Sequence, residues 1–126
     1  MPELDFLPVG SSYYPPFHTP EDWERDVKRM AEAGLNTIRT AELIASWDWI
    51  EPRRGDFDFS WLDRAFDLVA EHGLEVLLGT GAGSPPVWLL DEYPDVQVVS
   101  HEGVPYPTGA RWGWACIDNP GFLEEA

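Results

Sequence analysis

Ala70-Glu71-His72-Gly73-Leu74-Glu75-Val76-Leu77-Leu78-Gly79 runs from the end of an amphipathic helix, through a glycine stop, into an apolar strand. Ala31-Glu32-Ala33-Gly34-Leu35-Asn36-Thr37-Ile38-Arg39 makes the same step earlier in the chain. Upstream of that first step, Thr19-Pro20-Glu21-Asp22 offers an N-cap, a proline at the first helical position and acids in the first turn. Trp23, Val27, Met30 and Ala31 follow at helical spacing, which predicts a helix of roughly four turns. Upstream of the second step, Glu51 to Asp63 combines a Pro/Gly turn, the Phe57/Phe59 alternation of a short extended piece, and Ser60 with Asp63 at the spacing of an N-cap pair. Leu62, Phe66, Val69 and Ala70 then line one helix face. With Phe6-Leu7-Pro8-Val9-Gly10 as a first strand, three strands are expected by residue 79.

Repeated helix-to-strand units imply a parallel α/β architecture. The loops after the strands are long and rich in aromatic and polar residues, whereas the turns before them are short Gly-Leu steps. That asymmetry favours a (β/α)8 TIM barrel, which builds its active face from the loops after the strands, over a doubly wound sheet. The first strand-helix loop lacks a Gly-x-Gly-x-x-Gly cradle, and the run Gly79 to Gly83 leads into Ser84-Pro85-Pro86, whose prolines lack the N–H donors a phosphate needs. A whole barrel takes about 250 residues, so this chain holds about the first three βα units. Residues 1–126 are therefore expected to be the N-terminal portion of a longer, truncated catalytic domain, with Asn119 to Ala126 opening a further helix.

The chain has 44% hydrophobic residues, a formal charge of −15 and a pI near 4.2. Nucleic acid and anionic membrane surfaces would be repelled, which leaves a neutral substrate as the expected partner. No basic-then-apolar leader and no run of about 18 apolar residues is visible, and a single cysteine excludes an internal disulfide; the cytoplasm is the expected compartment. Lys28 is the only lysine, and the spread of acids over the surface is the pattern of adaptation to high salt.

Four stretches resemble the catalytic barrel of glycoside hydrolase family 42, the β-galactosidases: Gly10 to Pro15 with its Tyr-Tyr-Pro, Trp23 to Arg39, Glu51 to Asp63, and Pro85-Pro86-Val87-Trp88-Leu89. The chain departs from the family pattern at Pro16, where glutamate is usual, in a longer connection from Arg39 to Glu51, and at Ile117-Asp118-Asn119-Pro120. The resemblance implies a retaining glycosidase acting on terminal β-D-galactosides, without a cofactor and with homo-oligomers as one assembly of the full-length protein. Other barrel glycosidases, of the cellulase or xylanase type, and a non-catalytic sugar-binding or assembly protein are the alternatives.

Retaining glycosidases work with two carboxyl groups about 5 Å apart. In the resembled family these sit at the ends of strands four and seven, outside this chain, so no catalytic residue is assigned and the chain alone is expected to be inactive. Asp56/Asp58 read as solvated turn residues and Glu21/Asp22 as first-turn acids favoured by the helix dipole. For sugar binding the candidates are Arg39 and Glu42 after the second strand, Tyr14 after the first, and Arg111, which the resemblance places at a sugar-contacting arginine. Mutual ion pairing or support of neighbouring strands is the alternative role of Arg39 and Glu42. Among the seven tryptophans, Trp23 and Trp61 read as packing anchors, and Trp47, Trp49, Trp112 and Trp114 as candidate stacking platforms. Cys116 stands where some family members have the first of four zinc cysteines, but one thiol makes no zinc site, so no metal is assigned.

Overall fold

The computed structural model describes residues 6–41, 46–80, 85–106 and 114–126. In chain order its elements are β1 (Gly10–Ser12), α1 (Pro20–Glu32), β2 (Thr37–Thr40), α2 (Ser46–Ile50), α3 (Ser60–Glu71), β3 (Glu75–Leu78), α4 (Val87–Glu92) and α5 (Pro120–Glu125), with a 3₁₀ turn at Pro15–Phe17. They fall into two compact units, one of residues 1–40 and 60–78, the other of residues 41–59 and 79–126.

The first unit is a parallel sheet in the order β1-β2-β3 with α1 and α3 supplying the crossovers. Ser12 pairs with Arg39, and Arg39 in turn with Leu77. Thr19 is the N-cap its sequence predicts, and Asp22, expected only as a first-turn acid, completes a capping box: Thr19 Oγ1 accepts from the Asp22 N–H at 3.3 Å, and Asp22 Oδ2 accepts from the Thr19 N–H at 3.3 Å. The Thr19 hydroxyl, which donates to Asp22 Oδ2 at 3.0 Å, and then the Thr19 N–H hold the Asp22 carboxyl below its ordinary pKa.

The sequence echo is also a structural one. Gly34 and Gly73 adopt φ of +83° and +72°, and Leu35 and Leu74 each donate an N–H to a carbonyl five residues back, Met30 and Val69, at 3.1 Å in both cases. Two left-handed glycines thus end two helices in the same way and aim the chain into β2 and β3. Val27, Ile38, Val69 and Leu74 form the core between them. Trp23 is the anchor its position predicts: buried against Tyr13 and Ala65, it donates Nε1–H to the carbonyls of Pro15 at 2.9 Å and His18 at 3.1 Å.

The first strand lies later than residues 6–10. Pro8 has no N–H to give a ladder. The preceding stretch is tied instead by the Asn36 side chain, which accepts from Val9 N–H at 2.8 Å and donates to Leu7 carbonyl at 2.9 Å. On α3 the buried face is Leu62, Ala65 and Val69, with Phe66 partly buried and Ala70 exposed.

The second unit packs Leu89, Val96, Ala115 and Phe122 with Trp47, Trp88 and Tyr93 around them. Trp47 meets Trp88 edge-on, with centroids 6.1 Å apart, and Phe122 at 6.4 Å. The helix expected after Asn119 is present, its first N–H groups capped by Asn119 Oδ1, which accepts from Gly121 at 2.8 Å.

Candidate functional site

Arg39 sits on β2 with its side chain exposed, in a cleft that also includes Gly10, Ser11, Ser12 and Leu77. The close pairing of β1 with β2 shapes this cleft: a Cβ on Gly10 would lie 1.8 Å from the Thr37 carbonyl oxygen. A guanidinium here presents donors in a fixed fork to the hydroxyls or carboxylate of a ligand. Tyr14, partly buried, follows β1 and packs its ring against Phe17, with centroids 6.1 Å apart; it is not among the residues that line the Arg39 cleft. Glu42 and Arg111, like Trp112, lie outside the described residues.

Within the second unit, the turn after α2 is organised by Glu51, a carboxylate only 5% exposed. Oε2 accepts from the Trp47 indole N–H at 2.6 Å and Oε1 from the Gly55 N–H at 2.7 Å, while its main-chain carbonyl accepts from the Trp88 indole at 2.9 Å. Gly55 has φ of +77°, the left-handed conformation that lets the turn double back so that Asp56 N–H reaches the Arg53 carbonyl. Sequence reasoning read this turn as framework and did not single out Glu51; the available signal was the four-residue spacing of Trp47 and Glu51, which puts both on one helical face.

Arg54 extends the same turn to two helices, pairing with Glu92 on α4 at 3.1 Å and with Glu125 on α5, which also accepts from Tyr93 Oη–H at 2.8 Å. The Glu125 hydrogen bond, foremost, raises the pKa of the Arg54 guanidinium, and with partial burial it raises that of the Tyr93 phenol. Asp56 and Asp58 are exposed, as expected of turn residues. Trp47 is held in packing and hydrogen bonding, whereas Trp49 and Trp114 keep nearly half their surface in solvent. His18 stacks on Tyr13 at 4.9 Å and His72 meets Glu24 at 3.2 Å. Cys116 is a partly buried free thiol, and among the described residues no three His, Cys, Asp or Glu side chains converge to hold a metal.

Three adjacent parallel strands linked by helices, with long excursions after the second and third, define a segment of a (β/α)8 barrel. The chain belongs to the glycoside hydrolase family 42 β-galactosidases, whose family model matches residues 12–126. It is 40% identical over 119 residues to a β-galactosidase of Haloferax lucentense and 40% identical over 118 residues to one of Thermus thermophilus, covering 94% of this chain and 18% of the relative in each case. A solved structure, the β-galactosidase of the Antarctic haloarchaeon Halorubrum lacusprofundi, superposes with a TM-score of 0.84 at 40% identity, over 94% of this chain and 17% of that one. The chain thus spans under a fifth of the length of these relatives.

Proposed function

We propose that residues 1–126 are the N-terminal portion of the catalytic barrel of a retaining glycosidase that hydrolyses terminal β-D-galactosides. The observation that carries this reading is the family match over residues 12–126 together with the parallel β1-β2-β3 sheet that holds Arg39 in an open cleft. In this reading Arg39, Glu42, Arg111 and Tyr14 bind the sugar: the guanidinium groups donate to ring hydroxyls, the Glu42 carboxylate accepts from them, and the Tyr14 ring offers an apolar face.

A double displacement with retention needs a nucleophilic carboxylate and an acid/base about 5 Å apart. The acids described here have other tasks: Asp22 caps α1, Asp56 and Asp58 are solvated, Glu51 braces a turn, and Glu125 holds Arg54 and Tyr93. The family resemblance puts the bond-breaking pair at the ends of strands four and seven, so it is assigned to residues beyond this chain, and the isolated chain is expected to be inactive. A cytoplasmic setting and a homo-oligomer are proposed for the whole protein; among the described residues no helix is long and apolar enough to cross a membrane.

A panel of nitrophenyl glycosides tests the reading on a longer protein that carries this segment and, in parallel, on the 126-residue chain. Cleavage of the β-galactoside by the longer protein alone is the expected result. Preference for a β-xyloside or β-glucoside would replace the substrate assignment, and hydrolysis by the short chain would overturn the placement of the catalytic pair.

A further inference from the structure

Residues 41–59 follow β2 and residues 79–119 follow β3, and in a (β/α)8 barrel the stretches after the strands build the active face. Glu42 belongs to the first of these excursions and Arg111 to the second. Far apart in sequence, the two excursions are joined within the second unit. Asp48 on α2 accepts the Val87 N–H at 2.9 Å, and Trp47 meets Trp88 edge-on. The Glu51 carbonyl accepts from the Trp88 indole at 2.9 Å, and Arg54 pairs with Glu92 at 3.1 Å. The partners advance together along both stretches, so α2 with its turn lies alongside α4 like a splint.

The Asp48 link supplies something α4 lacks. At six residues, α4 is too short to persist in water on its own helical hydrogen bonds. Its N-cap is Pro86, which gives the first turn no side-chain acceptor. The Val87 N–H is thus one of the orphan donors of a helix start, and its acceptor comes from 39 residues away. A carboxylate suits that end of the helix, where the backbone dipoles present positive charge. Asp48 is also a first-turn acid of α2, a role that would involve α2 alone; the bond to Val87 extends it to α4. Leu89, fully buried in the core of this unit, fixes the depth of α4, and Asp48 fixes where the helix starts.

We propose that Asp48 is a positioning residue: by capping α4 it holds the excursion after β3 to the excursion after β2, and so sets how tightly the longer protein binds its substrate. The link rests on the α2–α4 geometry, and its effect on substrate rests on the glycosidase reading above. Because the bond-breaking pair is assigned beyond this chain, binding is the step that responds.

The test compares Asp48→Ala with Asp48→Asn in a longer protein carrying this segment, since asparagine keeps a side-chain oxygen that accepts and alanine does not. Asp48→Ala is expected to raise KM for a nitrophenyl β-galactoside about tenfold, equivalent to about 1.4 kcal/mol, with kcat changed less than about twofold. Asp48→Asn should stay within about threefold of the parent KM. Val87→Pro removes the same bond from the donor side. Val87 is exposed and takes the first helical position, where proline is tolerated, and Pro86 before it already has the extended ψ of 158° that proline requires. It should reproduce the rise in KM even if Asp48→Ala does not fold. Amide exchange read by mass spectrometry should show residues 87–92 losing protection in Asp48→Ala and keeping it in Asp48→Asn, with α3 unchanged in both. Three results would overturn the proposal: the parent KM in Asp48→Ala or Val87→Pro, a fall in kcat at constant KM, or Asp48→Asn as impaired as Asp48→Ala. A longer protein without galactosidase activity removes the proposed function instead, and exchange at residues 87–92 then decides the link: lost protection in Asp48→Ala supports it, and unchanged protection overturns it.

Discussion

Trp47 and Glu51, four residues apart, are joined by a 2.6 Å hydrogen bond from the indole N–H to a carboxylate that is 5% exposed. The same carboxylate accepts from Gly55, so one side chain ties the helix α2 to the turn that follows it. Removing it leaves two part-buried N–H donors without this acceptor. Hydrogen bonds to a charged group are worth roughly 1.5–3 kcal/mol each, and unsatisfied donors add cost, so Glu51→Ala should destabilise the second unit by about 3 kcal/mol. Glu51→Gln should lose less, since one amide oxygen still accepts. Urea unfolding followed by tryptophan fluorescence distinguishes the two; equal curves for Glu51→Ala and the parent would refute the bracing role.

Glycine substitutions separate collision from strain. Gly10→Ala would drive a Cβ to 1.8 Å from the Thr37 carbonyl, which β1 and β2 can relieve only by parting. A cost of about 3 kcal/mol is expected, at the upper end of ordinary overpacking. At Gly34 nothing lies within 4 Å, and the penalty of alanine is only that of a left-handed residue, about 1–2 kcal/mol. Amide exchange should show Gly10→Ala exposing the β1-β2 pairing and Gly34→Ala fraying only the end of α1. The reverse ranking would count against the register of β1 on β2.

The repeated unit was legible in the sequence because every signal in it is local: Thr19 and Asp22 cap, Gly34 and Gly73 stop, and apolar residues recur at helical spacing. The start of β1 was less so, since Asn36 reaches back across a long stretch of chain to hold Val9 and Leu7, a contact that no window around residues 6–10 contains. The Arg54 clamp was hidden for the same reason, whereas the Glu51 brace is local, with Trp47 and Gly55 each four residues away, and its spacing was there to be read. Arg54 finds its partners at Glu92 and Glu125, and nothing in the sequence near Arg54 points to either. Arg39 was legible as a site candidate from its place at the end of a strand, whereas its cleft depends on Gly10 and Leu77 from two other strands.

The α1 cap links stability to acid pH. Hydrogen bonds from Thr19 depress the Asp22 pKa in the folded chain, so the contribution is complete above the ordinary aspartate value and is lost as pH falls through the depressed one. Thr19→Ala should cost about 1 kcal/mol at neutral pH. The gap between Thr19→Ala and the parent should narrow below the ordinary aspartate range. A gap constant from neutral to strongly acidic pH would show that Asp22 is not coupled to Thr19.

A net charge of −15 on 126 residues makes self-repulsion a global term, whereas the Arg54 and Arg25 ion pairs are local and open to solvent on the arginine side. Screening weakens both, with a Debye length falling from about 10 Å at 0.1 M to 3 Å at 1 M salt. Surface pairs are worth about 0–1 kcal/mol each, so relief of repulsion should win. The melting temperature is expected to rise from low to molar sodium chloride. A flat or falling profile would mean that the ion pairs outweigh the acid excess.

Tyr13 sets a limit on the alkaline side. Its ring is buried against Trp23 and stacked on His18, and its hydroxyl donates to Asp26 at 3.3 Å. Burial first, then the Asp26 charge, raise the phenol pKa well above its ordinary 10.0. A group whose folded pKa is raised contributes stability that is complete below the unfolded value and declines as pH climbs through and beyond it. The parent chain should therefore lose stability above about pH 10, because the unfolded chain releases the proton first. Tyr13→Phe keeps the stacked ring and has no proton to lose. It should be less stable than the parent at neutral pH by about 1 kcal/mol for the lost hydrogen bond, and should close that gap above pH 10. Parallel unfolding curves for parent and variant across that range would show that Tyr13 ionises as freely as in the unfolded chain.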